Sequence, residues 1–354
     1  MNATASPLSI LYLGVRSGTS LHRANALRRL GHDLTIVDPA SFLPRHPARD
    51  YWIHHTGALF LGTYIRRRVL SGIRSAQFDL ALIDGGALVD PILASELKRR
   101  CGSIVNLNVD DPFGSRDGNK WRLYLECVPI YDLLVVVRDC NIQEAFAAGA
   151  RDVLKVYRSA DEIAHAQGRL TAGDRERWGS EVAFIGTWMP ERGPFLARLV
   201  ELGIPLTIYG DRWHKAQEWS VLKPHWRGPG LYNDDDYAKA VQCAGVCLGL
   251  LSRGNRDLST QRSFEVPYLG GVLCAERTPE HLSLYTEDAE AFFWSGPEEC
   301  AEKCHRLLAD PDLRQRLAYN GRRRCIENGT LNQAVLDQVL SRVAPARQPD
   351  LVTA

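Results

Sequence analysis

The chain has 354 residues, 45% of them hydrophobic and 24% charged, and its 43 Lys and Arg against 42 Asp and Glu leave a formal charge of +1. Such a composition belongs to a folded chain long enough for two domains, and it excludes disorder, collagen-like sequence and a disulfide-stapled miniprotein. The near-neutral balance also argues against a protein whose main work is neutralising a nucleic-acid backbone, so no nucleic-acid partner is expected.

The first element is a strand over residues 8–14 (LSILYLG), ending in glycine. A polar turn follows, with Thr19 or Ser20 as the N-cap of a helix running to Leu30. Residues 34–38 (LTIVD) form a second strand. Strand, glycine turn, helix and strand within about 30 residues make a βαβ unit and imply a parallel sheet. The alternation continues with a helix over 58–75, a strand at 79–84, a helix at 90–100, strands at 103–109 and 131–137, a helix at 141–148 and a strand at 152–157. Residues 159–180 turn polar and read as an inter-domain connection.

A second series opens with a strand at 181–186 (EVAFIG), a helix at 190–202 and a strand at 205–210 (PLTIYG). A loop at 228–236 leads into a helix to about Gln242, then a strand at 245–250, a helix at 260–269 and a strand at 271–274. Helices fill most of 297–327, and an amphipathic stretch at 332–343 precedes a frayed tail. The expectation is two doubly wound α/β domains in tandem, at 1–165 and 180–330, with a helix over 332–345 packing back on the first. Strand C-terminal ends form the ligand edge of such sheets, so the two domains are expected to face a cleft.

No apolar run approaches the roughly 18–20 residues that span a bilayer. Residues 1–7 lack the charged region of a secretion signal. A cytoplasmic location is expected, with peripheral membrane contact left open. The nine cysteines include Cys243/Cys247 and Cys300/Cys304, each pair four apart, with His305 after the second. That spacing matches no common zinc pattern, and free thiols in a reducing compartment are the default.

Several residues could carry chemistry. Gly14 and Gly18 frame the first turn, but the spacing is not G-x-G-x-x-G, which argues against a nicotinamide or flavin cofactor. The turn still offers backbone N–H groups to an anion. Asp110 and Asp111 end a buried strand, where they could accept substrate hydroxyls or act as a base; an Asx turn closed by Pro112 is the alternative. In the second half, Arg192 starts a helix after the Gly186 turn. Thr260, Arg262 and Glu265 sit at the start of another, Arg262 and Glu265 three apart on one face. An Arg there can pair with a phosphate and a Glu one turn deeper with ribose hydroxyls; a surface ion pair of little energetic weight is the plainer reading. Asp234, Asp235 and Asp236 read as helix-capping acids rather than metal ligands.

The run RSFEVPYLGGVLCAE (262–276), with TEDAE (286–290), LLADP (307–311) and LAYNG (317–321), resembles the C-terminal domain of CgeB-like glycosyltransferases, within the wider GT-B group that includes the glycosyltransferase family 1/4-like proteins. NVDDP (108–112) and YDLLVVV (131–137) resemble the first domain. The resemblance covers about residues 8–330 and implies a metal-independent enzyme using a nucleotide-diphosphate sugar linked to UDP, GDP or dTDP. It implies no cofactor, and an acceptor that is a saccharide, a protein or a lipid-linked glycan. Glu265 would then hold the donor ribose, while Arg262, Arg192 and the Gly186 turn face the diphosphate. Gly210 and the 228–231 loop, ending at Leu231, would border the base. Gly14, Ser17, Gly18 and Thr19 would lie near donor phosphate or acceptor, with His22 either approaching the sugar or exposed without a role. Many retaining relatives carry an E-x7-E pair, and here its first acid falls on Asp257. A nucleotide-sugar epimerase and a non-catalytic scaffold on the same fold are the alternatives. Acceptor loops are expected at 44–62 and 112–121.

Overall fold

Strand pairing is parallel throughout the computed structural model, which describes residues 6–74 and 76–343; the expected frayed tail lies outside the described residues. The chain divides into two units. Unit 1 comprises the chain up to Phe113, Asp117–Val156 and the chain from Gln333; unit 2 comprises residues 114–116 and Tyr157–Asn332.

Unit 1 begins with β1 (Ser9–Leu13), α1 (Gly18–Arg29), β2 (Asp33–Val37), α2 (Pro47–Thr56) and α3 (Gly62–Ile73). It continues with β3 (Phe78–Asp84), α4 (Pro91–Arg100), β4 (Cys101–Asn108), α5 (Arg122–Cys127), β5 (Leu133–Val136), α6 (Cys140–Ala147) and β6 (Val153–Lys155). The sheet order is β2-β1-β3-β4-β5-β6. Along β1, Leu11 and Leu13 enter one apolar cluster and Ile10 and Tyr12 the other. Burial on both faces of a parallel sheet is why these strands read as unbroken apolar runs.

Unit 2 holds α7 (Ala172–Trp178), β7 (Ser180–Ile185), α8 (Arg192–Glu201), β8 (Leu206–Tyr209), α9 (Trp219–Leu222), β9 (Trp226–Gly228) and α10 (Asp234–Cys243). After these come β10 (Ala244–Gly249), α11 (Arg262–Tyr268), β11 (Leu273–Glu276), α12 (Pro279–Leu284), β12 (Phe292–Trp294), α13 (Pro297–Ala309) and α14 (Pro311–Glu327). The sheet order is β12-β11-β10-β7-β8-β9. The last helix, α15 (Asn332–Val343), lays Val335, Leu336, Val339 and Leu340 into the unit 1 cluster that holds Ile10 and Tyr12.

Local chemistry explains where the structure departs from the pattern. The helix expected over 58–75 starts only at Gly62, as α3, because Ala58 and Phe60 hold positive φ; α2, capped by Gly57 at φ 62°, lies ahead of it and was not expected. The connection at 159–180 is not bare: Thr171 and Asp174 form a capping box that starts α7. The cap of α1 is Ser17, not Thr19 or Ser20. Asn233 caps α10, accepting from the N–H groups of Asp235 and Asp236, so the three acids occupy the first turn behind it. The strand expected at 271–274 is shifted to Leu273–Glu276.

Two contacts fix the frame of unit 2. Ser159 Oγ donates to Asn332 Oδ1 at 2.6 Å, and Asn332 Nδ2 donates to Asp161 Oδ2 at 2.9 Å, all three residues buried. Gly210, after β8, lies against the turn after β7 so closely that an added Cβ would sit 1.9 Å from the Gly186 carbonyl oxygen. Asn332→Ala removes both buried side-chain bonds and is expected to lower stability by about 2–3 kcal/mol. A urea midpoint that falls with m unchanged is the expected result. Gly210→Ala forces the two turns apart and is expected to cost about 3 kcal/mol, read as a lower Tm by circular dichroism.

Candidate functional site

Several polar groups of unit 2 converge on one buried carboxylate. Glu265 lies on α11, 2% exposed. Its Oε2 accepts from Arg262 Nη1 at 2.6 Å and from the Tyr237 hydroxyl at 2.7 Å. On the other side His165 Nε2 lies 3.4 Å from Oε1. The Asp161 N–H donates to His165 Nδ1, which leaves the neutral ring's proton on Nε2, facing the carboxylate. The surface ion pair weighed from sequence is therefore a buried network.

Arg262 keeps its outer part open, its side chain 32% exposed. Its Nε donates to the Ile185 carbonyl at 3.2 Å and its guanidinium stands 4.6 Å over the Tyr237 ring. Burial alone would depress this guanidinium, but the Tyr237 hydroxyl and the Glu265 carboxylate outweigh it and raise its pKa. Burial pushes the Tyr237 hydroxyl well up. The result is a fixed cation with a hydrogen-bonded inner edge and a partly open outer one.

Arg192 is different. It is buried at the start of α8, and its guanidinium donates to the carbonyls of Thr187, Leu250 and Leu251 at 2.8–3.3 Å. Burial pulls its pKa down to about 10, partly offset by Glu191. It ties the turn after β7 to the segment after β10. Arg116 reaches the same segment, donating to Ser252 Oγ at 2.8 Å. Asp257 is buried and pairs with Arg158 at 2.8 Å, while Arg158 also donates to the Ser259 carbonyl. Thr260 precedes α11 and gives its N–H to Ser263 Oγ.

A cavity of about 500 Å³ opens at the ends of β8 and β9. Trp178, Tyr209, Leu231 and Tyr232 supply its apolar and aromatic wall, with Arg177 and Arg227 at its edge. Trp178, Tyr209, Tyr237 and Phe264 belong to one apolar cluster, which joins the cavity wall to the residues packed around Glu265. The volume is within the usual range for small-molecule sites.

In unit 1, Arg23 forks onto Asp84 at 2.8–3.0 Å and the Tyr12 hydroxyl donates to the same carboxylate. Gly14 sits against this group; a Cβ there would lie 2.5 Å from the Tyr12 ring and 2.6 Å from Ser20 Oγ. Gly18 opens α1 at φ 52°, between Ser17 and Thr19. His22, weighed as exposed, is buried on α1. A cavity of about 480 Å³ is lined by Gly14, Asp38, His54, Gly86 and Trp121, among others. Asp110 and Asp111 part company: Asp111 is buried and accepts from Asn141 at 2.8 Å, whereas Asp110 is half-exposed near Lys120. Asn108, not either acid, closes the turn by accepting from the Asp110 N–H.

His165, Tyr237, Arg158 and Arg116 are absent from the sequence reading. Tyr237 follows the acidic start of α10 and could have been weighed there; His165, in a polar connection, carries no signal. Among the described residues, one group of possible metal ligands comes together: Cys274, Cys300 and Cys304, thiols within 4.8 Å of one another and fully buried. They sit in an apolar cluster, and exposed His305 is not among them. Nor do Asp234, Asp235 and Asp236 form such a group. No described helix is long and apolar enough to cross a membrane.

A protein-family model described as glycosyl transferase-like matches residues 192–341, the segment that holds Arg192, Gly210, Leu231, Asp257, Thr260, Arg262 and Glu265. No curated protein sequence matches the chain. Among solved structures, HepE from Anabaena in complex with UDP-glucose is similar at TM-score 0.64 and 12% identity, over 96% of this chain and 100% of that one. Sucrose-phosphate synthase from Thermosynechococcus elongatus is similar at 0.65 and 11%, over 94% and 98%. The α,α-trehalose 6-phosphate synthase from Burkholderia multivorans is similar at 0.61 and 12%, over 96% and 98%. The chain thus has the fold of these proteins: two Rossmann-like α/β units in tandem, the GT-B architecture.

Proposed function

We propose that the protein is a glycosyltransferase of the CgeB-like branch, moving a sugar from a nucleotide-diphosphate donor to a saccharide, protein or lipid-linked acceptor. The observation that carries this reading is the Arg262–Glu265 pair, a half-open cation locked onto a buried carboxylate and built into the same core as an aromatic-walled cavity. The family model over residues 192–341 supports it. So do fold relatives captured with UDP-glucose and with UDP and glucose.

In this reading the cavity takes the base, with Tyr209 and Trp178 as its aromatic wall and Gly210 and Leu231 at its border. Arg262 meets the diphosphate. Breaking the sugar–phosphate bond develops negative charge on the leaving oxygen, and a preorganised guanidinium stabilises it without reorganising. Arg192 holds the Gly186 turn in place and adds positive potential from beneath, since its donors face backbone carbonyls. Glu265 fixes Arg262 in this position and is assigned the ribose side of the donor. Asp257, held by Arg158, takes the place of the first acid of the E-x7-E pair. In unit 1 the 480 Å³ cavity serves the acceptor, bordered by Gly14, with Ser17, Gly18 and Thr19 in the turn beyond it. Asp110 is the accessible base; Asp111, committed to Asn141, is a weaker candidate, and His22 is too buried to take part.

UDP, GDP or dTDP at roughly 1 mM is expected to raise Tm, by an amount that corresponds to about 2.7 kcal/mol at a hundredfold excess over Kd. Silence from all three nucleotides would overturn the donor assignment. Glu265→Gln removes the charge that locks Arg262 and is expected to weaken nucleotide binding by about tenfold or more. Calorimetry on the variant, at a temperature where its circular dichroism is native, checks this; unchanged affinity would show that the network does not serve the nucleotide.

A further inference from the structure

Helix α2 is ten residues long and buries none of them. Its Tyr51 and Trp52 are 68% and 42% exposed, and the loop that follows shows Leu59 at 41% and Phe60 at 83%. Tyr64, on the first turn of α3, adds a further ring at 48%. Five large apolar or aromatic side chains within fourteen residues thus face outward. Singly such residues are ordinary, but a contiguous run marks a surface meant to be covered.

The display is held rigidly. Phe60 keeps φ at +67°, a conformation uncommon for a bulky residue and one that costs backbone energy. The Trp52 indole N–H donates to the Leu59 carbonyl at 2.9 Å, and Thr56 Oγ donates to the Trp52 carbonyl while accepting from the Leu59 N–H. With its polar atom satisfied inside the protein, the Trp52 ring can leave water without stranding a donor.

Charge says what covers the patch. Residues 39–74 carry six arginines and one aspartate, a formal excess of five positive charges in a chain whose total is +1. On α3 the buried face is Ile65, Val69 and Ile73, while Tyr64, Arg67 and Arg68 lie outward on the opposite side. Arg45 is exposed just ahead of α2. A second copy of the chain would set like charges against each other. Amphipathic rings mixed with arginines are the composition of a helix lying at a lipid headgroup layer, and clustered Arg is attracted to anionic lipid.

We propose that the α2–α3 face docks unit 1 on an anionic lipid bilayer, Trp52 and Phe60 entering the headgroup layer and Arg45, Arg67 and Arg68 meeting its phosphates. The same helix lends Asp50, Ile53 and His54 to the wall of the 480 Å³ cavity, so docking brings that cavity within about a helix diameter of the lipid. The docking stands apart from the transferase reading and can hold or fail without it.

The test is sedimentation of the full chain with phosphatidylcholine vesicles, with and without about 30 mol % phosphatidylglycerol. Binding to the anionic vesicles and little to the neutral ones is expected, weakened by about 0.5 M salt. The double variant Trp52→Ser/Phe60→Ser is expected to keep its Tm and bind at least about tenfold more weakly. Arg67→Glu/Arg68→Glu is expected to do the same. No binding to anionic vesicles overturns the proposal, as does undiminished binding by the folded aromatic variant. A concentration-dependent dimer abolished by Trp52→Ser/Phe60→Ser, without vesicle binding, also overturns it and assigns the face to self-association.

Discussion

A carboxylate taken out of water must find donors within the protein or lose its charge, and unit 2 is arranged around that demand at Glu265. The cost of an isolated buried carboxylate is several kcal/mol even after relaxation. Here the donors come from three stretches far apart in sequence: Arg262 on the same helix, Tyr237 on α10 and His165 in the connection before α7. Each is fixed by something else in turn. Arg262 is held by the Ile185 carbonyl at the end of β7, and His165 by the Asp161 N–H. Asp161 is itself anchored through Asn332. The position of one acid thus dictates the seating of a strand end, two helices and a connecting segment.

Unit 1 solves the same problem with different residues. Asp84, at the end of β3, is met by the fork of Arg23 and by the Tyr12 hydroxyl, and burial drives that hydroxyl's pKa well up. In both units a glycine sits where the strand ends and the network closes. Gly14 leaves no room for a Cβ beside Tyr12 and Ser20, and Gly186 none beside the Phe184 ring. Such turns bring backbone N–H groups close to whatever binds at the C-terminal edge of a parallel sheet, the edge where ligands of these folds sit. Crowding, rather than conformational freedom, is what requires glycine at both places, since neither has a positive φ.

The features legible in the sequence are those written as periodicity. Strands buried on both faces stand out as apolar runs, so the β/α alternation of both units could be read directly, and the three-residue spacing of Arg262 and Glu265 gave their shared helix face. Short elements were lost because three or four residues hold too little pattern: β9, β12 and α9 fall in this class. The start of α3 was placed too early because Ala58 and Phe60 adopt a backbone region that their residue types disfavour. His165 was illegible for a deeper reason. Nothing local distinguishes it from other polar residues of its segment; its role exists only because the fold brings that segment over Glu265.

Arg192 and Arg262 show how far residue type alone underdetermines role. Both were read as phosphate ligands, and both are present where the pattern put them. Yet Arg192 is buried with its guanidinium turned to three backbone carbonyls, and burial weakens its hold on the proton. Arg262 is partly open and its proton is held more tightly, because a carboxylate and a buried hydroxyl stand behind it. Contact with a leaving diphosphate suits the second, whose outer edge can exchange water for phosphate oxygens. The first contributes a fixed positive charge in a region of low polarisability, where Coulomb interactions reach further than in water. In the proposed reaction, one arginine would therefore bind the charge that develops and the other would shape the potential in which it develops.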